Sequence, residues 1–330
     1  MGAIEVIEAG LQSSVQDLGR PGYRASGVPI GGAFDQLALR IGNRLLGNDE
    51  DDAGIEMTLV GGVYRFDQPA MVCLSGAQAD RAEIECHKGR FAIEHLRTAA
   101  VPAGGVLRIG RLRDGVRAYL CVGGGIRTER VLGSRSALVS LPDAGLGRAL
   151  RQGDRLGIGE RDRSGSADAE QPWMPQLRST GEGTRVLRVV PGAHSGLFSE
   201  QHRTQLSEKL FTVSAQSNRA GVRLGGERLS GALPARIPSE GVLPGYVQVP
   251  SSGEPIVLGV DGPVTGGYPV IGCVIEADLP VLGQCGPGDR VRFALIDRAS
   301  AIRALREQEA MIRAVPPAAS YGFELDKSDG

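Results

Sequence analysis

The chain has 330 residues, 41% of them hydrophobic and only 4% aromatic, with a formal net charge of -1: enough apolar material for two cores, and no global field to hold a phosphate polymer. No basic run with interleaved aromatics occurs, no apolar stretch approaches about 18 residues, and residues 1–10 carry no leader pattern, so nucleic-acid binding and a membrane-spanning helix are not expected and a cytoplasmic protein is. Cys73, Cys86, Cys121, Cys273 and Cys285 are odd in number with no Cys-x-x-Cys spacing, which suits free thiols, and Cys86, His87 and His95 fall short of a four-ligand zinc set, so no metal is expected.

The 49 glycines and 19 prolines, with short Val/Ile/Leu runs between them, predict a mainly β protein with few helices. Residues 4–9 alternate apolar with acidic and predict a first strand. The loop over 10–23 is dense in polar side chains and turn formers, with Gln16, Asp17 and Arg20 as its reactive candidates. Phe34, Leu37, Ala38, Ile41 and Leu45 then recur at helical spacing, and Gly47-Asn48 closes the segment as a C-cap. From 55 to 125 strand follows strand, and Gly123-Gly124-Gly125 offers an anion cradle without the Lys-Ser or Lys-Thr of a P-loop.

Residues 161–184 are polar and small, with Pro172, Trp173 and Pro175 among them. The boundary is placed there: a first domain over 1–165, a linker over 166–184, a second domain over 185–297 and a C-terminal helix and tail over 298–330. In the second half, residues 187–192 echo 4–10, and 199–206 predict a capped helix before a strand at 211–213. The order strand, glycine loop, Leu-Pro, Gly-Asp-Arg also recurs, from 116 through Leu141-Pro142 to Gly153-Asp154-Arg155, and from 256 through Leu279-Pro280 to Gly288-Asp289-Arg290, which suggests two related β domains. Residues 298–313 predict a helix with Ile302, Leu305 and Ile312 inward, and a frayed tail follows Pro316.

Between two apolar strand-like runs, residues 260–269 gather Asp261, Thr265 and Tyr268 with Gly266, Gly267, Pro263 and Pro269. Glycine lets backbone approach a ligand and proline stiffens the flanks, so the loop is a candidate site; a hairpin with ordinary turn residues is the competing reading. An unactivated amide resists attack because its carbonyl is resonance-stabilised, so an enzyme must polarise the oxygen. The Gly266 and Gly267 amides with Thr265 and Tyr268 suit that task, Asp261 suits an acceptor or base, and Arg219 and Arg20 suit an anionic group. No Gly-x-Ser-x-Gly elbow or Ser-x-x-Lys set is present.

The stretches 10–23, 27–35, 43–48 and 132–135, with Gln216-Ser217-Asn218-Arg219, 239–241, 245–250, 261–269 and 286–290, resemble the biotin-dependent carboxyltransferase-like family over roughly residues 4–296. That family includes the C subunit of 5-oxoprolinase, allophanate hydrolase subunit 2 and the carboxyltransferase region of urea carboxylase. The resemblance implies two tandem cyclophilin-like β-barrel domains with a few short helices, and a site that includes Gln216 and Asn218 as substrate-binding residues. It also implies a partner similar to the B subunit of 5-oxoprolinase (allophanate hydrolase subunit 1), with the A subunit of that enzyme involved too. It implies ATP as the complex's cofactor and conversion of 5-oxoproline to glutamate, with allophanate hydrolase or urea carboxylase chemistry as the alternative and a non-catalytic module antagonising a kinase inhibitor as another. Any carboxybiotin must arrive on another protein, since the chain has no Ala-Met-Lys-Met site. Asp261-Gly262-Pro263-Val264 stands where the oxoprolinase type reads Asp-Arg-Gln-Thr and is closer to urea carboxylase, whereas Tyr268-Pro269 keeps the oxoprolinase form.

Overall fold

The computed structural model describes residues 2–160, 179–180 and 183–316. Trp173, most of the expected linker and the tail after Pro316 lie outside them. The described residues are mainly β, and no strand of one half joins a sheet of the other. In the first half a six-stranded antiparallel sheet, in the order 155–157, 3–8, 63–66, 106–109, 82–86, 89–92, faces a five-stranded one, in the order 12–16, 54–58, 112–122, 70–79, 98–101. Alternation fills the space between them: Ile4, Val6, Tyr64, Phe66 and Leu107 from one sheet meet Ile55, Met57, Leu74, Ala118 and Leu120 from the other.

The second half closes into a barrel, because the strand Thr184–Pro191 pairs antiparallel with Val270–Val274 on one side and parallel with Arg290–Leu295 on the other. Its core holds Leu187, Val189, Phe211, Val222, Val247, Val257 and Phe293. Ser179–Thr180, inside the stretch expected to be linker, already pairs with 184–185, so this unit begins earlier than its expected start at 185.

The Gly-Asp-Arg echo is real and local. Gly153 and Gly288 both take positive φ, 86° and 90°, and Asp154 and Asp289 each accept from the N–H three residues before. The flanking backbone bonds match too: Gly153 N–H to Val6 O with Val6 N–H back to Asp154 O, and Gly288 N–H to Val213 O with Val213 N–H back to Asp289 O. The strand that stands where residues 4–6 stand is therefore Phe211–Val213, not 187–192 as the sequence echo suggests.

Helix α1 (Gln36–Leu46) runs as expected, with the Asp35 side chain accepting from Ala38 N–H and Gly47 ending it at φ 69°. Its apolar face covers the five-stranded sheet, while Phe34, just before it, inserts into the second half's core. Helix α2 (Glu200–Glu208) begins at Ser199 in a capping box with His202. Helix α3 (Leu279–Gly283) is short, and helix α4 (Arg298–Ala314) straps the halves together: Glu309 receives both terminal nitrogens of Arg40 (2.6 and 2.8 Å) and Gln308 donates to Ala277 O (3.0 Å). Docking through Arg40 turns Ala304 and Ile312 inward and leaves Ile302 41% exposed, against the expectation that Ile302 faces in. No helix among the described residues is long and apolar enough to cross a membrane.

Candidate functional site

The two halves meet on a buried charged cluster that the expected loop enters at one end. Arg219 sits in the turn before the strand Gly221–Gly225, and its Nε and Nη2 donate to Asp261 Oδ2 (2.9 Å) and Oδ1 (2.8 Å). The same guanidinium donates to Glu56 Oε1 (2.6 Å) and Gly32 O (2.6 Å) of the first half. Glu56 Oε2 accepts from Phe34 N–H (2.9 Å) and Tyr119 Oη–H (2.8 Å), and Arg117 stacks over the Phe34 ring at 4.6 Å. Gln284, just after α3, donates to Asp35 Oδ2 (2.7 Å) and accepts from Val116 and Arg117 N–H (3.0 Å each).

Asp261 and Arg219 are 3% and 4% exposed, so each charge depends on the other for its solvation. Burial works against both charged forms, yet Glu56 and Asp261 hold the Arg219 pKa above its usual value, and Arg219 and Arg117 hold Glu56 below the usual carboxylate range. Asp35 goes the other way: burial pushes its pKa up to about 6, only partly offset by Gln284 and the Ala38 N–H. Both Asp261 oxygens are committed to Arg219, which suits a group that fixes the loop rather than one that shuttles a proton.

The other end of the loop is built differently. Thr265-Gly266 forms a short antiparallel pair with Glu240-Gly241, and Gly267 O accepts from Ile237 N–H (3.1 Å). Space for a side chain is tight there: a Cβ on Gly266 would lie 2.7 Å from Gln248 Nε2, and one on Gly267 3.0 Å from Ile237 O. Thr265 is exposed, and Tyr268 is half-buried in the wall of a pocket of about 260 Å³ with Leu233, Arg236, Val249, Ser251 and Pro269. The Arg236 guanidinium lies over the Tyr268 ring, 5.4 Å from its centroid, and Gln248 Nε2 is buried with no hydrogen-bond partner among the described residues. Gln248 does not line the pocket; the cation and the aromatic face that do line it suit a small planar anion.

The remaining candidates divide. Gln16 and Asp17 are structural clasps of the first half: Gln16 Nε2 donates to Ser14 Oγ and Ala137 O (2.9 Å each), and Asp17 accepts from Gly19 and Arg135 N–H and from the Ser134 and Ser136 hydroxyls. Arg20 is 1% exposed, is stabilised as a cation by Asp17 and Asp261 against the larger effect of burial, and donates to Ser136 O. Gln216 and Asn218 stay on an exposed turn, where Asn218 Oδ1 accepts from Ala220 N–H (2.9 Å), and neither lines the Tyr268 pocket. Arg24 of the first half reaches across to Val264 O (3.4 Å), so the loops over 20–31 and 261–269 do share one face. The glycine triple does not fit a phosphate: Gly124 N–H donates to Asn48 Oδ1 (2.9 Å), and Gly159 O closes the space into which a Cβ would point.

The fold and these loops belong with carboxyltransferase domains. The chain is a member of the family of the carboxyltransferase domain, subdomain A and B, whose pattern matches residues 26–295. It is 37% identical to the C subunit of 5-oxoprolinase from Escherichia coli, across 93% of this chain and 95% of that protein. It is 31% identical to urea amidolyase of Saccharomyces cerevisiae, across 93% of this chain but 17% of that much longer protein. The crystal structure of the K. lactis urea amidolyase superposes with a TM-score of 0.83 at 29% identity, covering 98% of this chain and 20% of that one, and the Kluyveromyces lactis urea carboxylase does so equally well over 30% of its length. The relatives are thus parts of hydrolase and carboxylase systems.

Proposed function

We propose that the chain is the C-type component of an ATP-dependent hydrolase that opens 5-oxoproline to glutamate, active in a complex with counterparts of the A and B subunits of 5-oxoprolinase. The observation that carries this reading is the end-to-end match to the C subunit of that enzyme, 93% of one chain on 95% of the other, whereas the urea enzymes contain the domain as a fraction of a longer chain. In this reading Arg236 holds the carboxylate of the lactam, the Tyr268 ring packs on its planar face, and the loop backbone at Gly266 and Gly267 with Thr265 meets the amide oxygen. Asp261 and Arg219 anchor the loop so that these groups keep their geometry. ATP is assigned to the rest of the complex, because the glycine triple is closed by this chain's own atoms.

A urea-type carboxyltransferase that takes a carboxyl group from biotin on another protein is the second reading, favoured by Asp261-Gly262-Pro263 and by the K. lactis superposition. Reconstitution with the A and B subunits, ATP and either 5-oxoproline, urea or allophanate separates the two. Glutamate release supports the first; turnover of urea or allophanate without glutamate overturns it. Co-expression with the B subunit should give a stable hetero-complex by size exclusion with light scattering, and free monomers of both at micromolar concentration would contradict the partnership.

A further inference from the structure

The first half carries a second pocket, of about 350 Å³, that shares no lining residue with the one at Tyr268. Its floor is aliphatic, with Val15, Leu146, Leu150 and Leu156, and one wall is cationic, with Arg20 and Arg135. Arg148 and Arg155 also line it, but these are neutralised by Asp154 (2.7 Å) and Asp67 (3.0 Å). Arg20 and Arg135 make no ion pair among the described residues. Asp17, the carboxylate beside them, gives its acceptors to hydroxyls and backbone N–H groups instead. Glu129 stands exposed among the lining residues.

The cationic wall is crowded. Burial and the like charges of Arg130 and Arg127 push the Arg135 pKa down more than Asp17 and Asp52 raise it, and Asp52 is ion-paired with Arg127 at 3.1 Å. The guanidinium of Arg135 is tied down by donating to Thr128 O, so it cannot swing out to relieve the repulsion. Thr128 Oγ1, in the same wall, is buried without a hydrogen-bond partner among the described residues, and so is Arg20 Nη1. Buried polar atoms without partners are costly, and a pocket that keeps such groups beside two arginines without a direct ion pair suits an acceptor that brings negative charge. The volume exceeds what an inorganic oxyanion needs, and the apolar floor rewards a hydrocarbon body.

We infer that this first-half pocket binds a small organic anion, its carboxylate or phosphate head on Arg135 and Thr128 and its apolar body on Leu146, Leu150 and Leu156. The site is independent of the reading at Tyr268, and its failure would leave that reading untouched.

The test uses the full chain and hexanoate, with hexanol and inorganic phosphate as the uncharged and bodiless controls, followed by calorimetry and by methyl NMR of Val15 and the floor leucines. Hexanoate should bind with a dissociation constant of about 1 mM and shift those methyls. Hexanol and phosphate should each bind more weakly, and weaker binding of hexanoate than of a phenyl or alkyl phosphate would assign the head as phosphate rather than carboxylate. Arg135→Met should weaken hexanoate by about tenfold, the equivalent of one charge-assisted hydrogen bond. Should that variant fail to fold, Thr128→Val, which keeps the shape and removes only the hydroxyl, should still weaken it severalfold. Equal binding of hexanol, unmoved methyls, or unchanged affinity in the variants would overturn the proposal.

Discussion

The two ends of the loop over 261–269 are close in sequence and opposite in physics. At one end Asp261 is sealed between the halves with both carboxylate oxygens committed to Arg219; at the other Tyr268 faces a pocket beside the Arg236 guanidinium. A carboxylate that is already paired and dry has little left to offer a substrate, while a half-exposed ring under an arginine does. The lesson is that the most reactive-looking side chain of a loop can be the one that holds it in place.

The sharpest way to break this contrast is at the buried end. Arg219→Ala strands Asp261 as a buried carboxylate without its partner and leaves Glu56 to Arg117 alone (3.6 Å); breaking such a buried pair typically costs about 3–5 kcal/mol, so urea denaturation should show a large loss of stability or no folded protein. A variant as stable as wild type would mean the cluster is not buried. At the open end, Arg236→Met should leave the melt nearly unchanged and lower turnover in the assembled complex by roughly 10²-fold, the usual cost of one positioned donor. Gly124→Ala should cost about 1–3 kcal/mol in stability with turnover per folded molecule unaltered, because the residue sits at φ 84° against Gly159 O. Tyr268→Phe, which keeps the ring under Arg236, should cost less than about tenfold in rate.

The cluster also predicts a pH signature. Asp35 binds its proton more tightly in the folded state, with its pKa at about 6 against an ordinary 3.8, so the stability it contributes is fully present below pH 3.8 and is lost as pH rises through 6. Glu56 acts in the opposite sense: its folded pKa is lowered, so its contribution is present above pH 4.5 and is lost as pH falls through the folded value. The denaturation midpoint of wild type should therefore fall relative to that of Asp35→Asn as pH rises from about 4 to about 6 and run parallel to it above, and parallel curves throughout would contradict the shift.

Much of this was legible in the chain and the rest hidden for a specific reason. Helix α1 follows from its apolar spacing and its Gly47 cap, and the Gly-Asp-Arg turns from their repetition. The cluster was not legible, because Glu56 alternates with Ile55 and Met57, and Arg117 and Tyr119 with Ala118 and Leu120, so a period-two reading sends them to solvent. That face is instead covered by the second half, through Arg219, Gln284 and the inserted Phe34, and no local pattern encodes a contact between residues 163 apart. Arg236 escaped because a lone arginine in a turn-rich segment carries no spacing signal. By shape alone Asp261→Asn would spare folding and lower only turnover; the buried pair with Arg219 reverses that order.

Asp261→Asn is accordingly the measurement that bears most directly on the division of labour within the loop, read as thermal stability and as turnover per folded molecule in the same reconstituted complex. The melt should be clearly lowered, with turnover of the molecules that remain folded within a few-fold of wild type. An unchanged melt with turnover lost by about 10²–10⁴-fold would contradict it and make Asp261 the catalytic group.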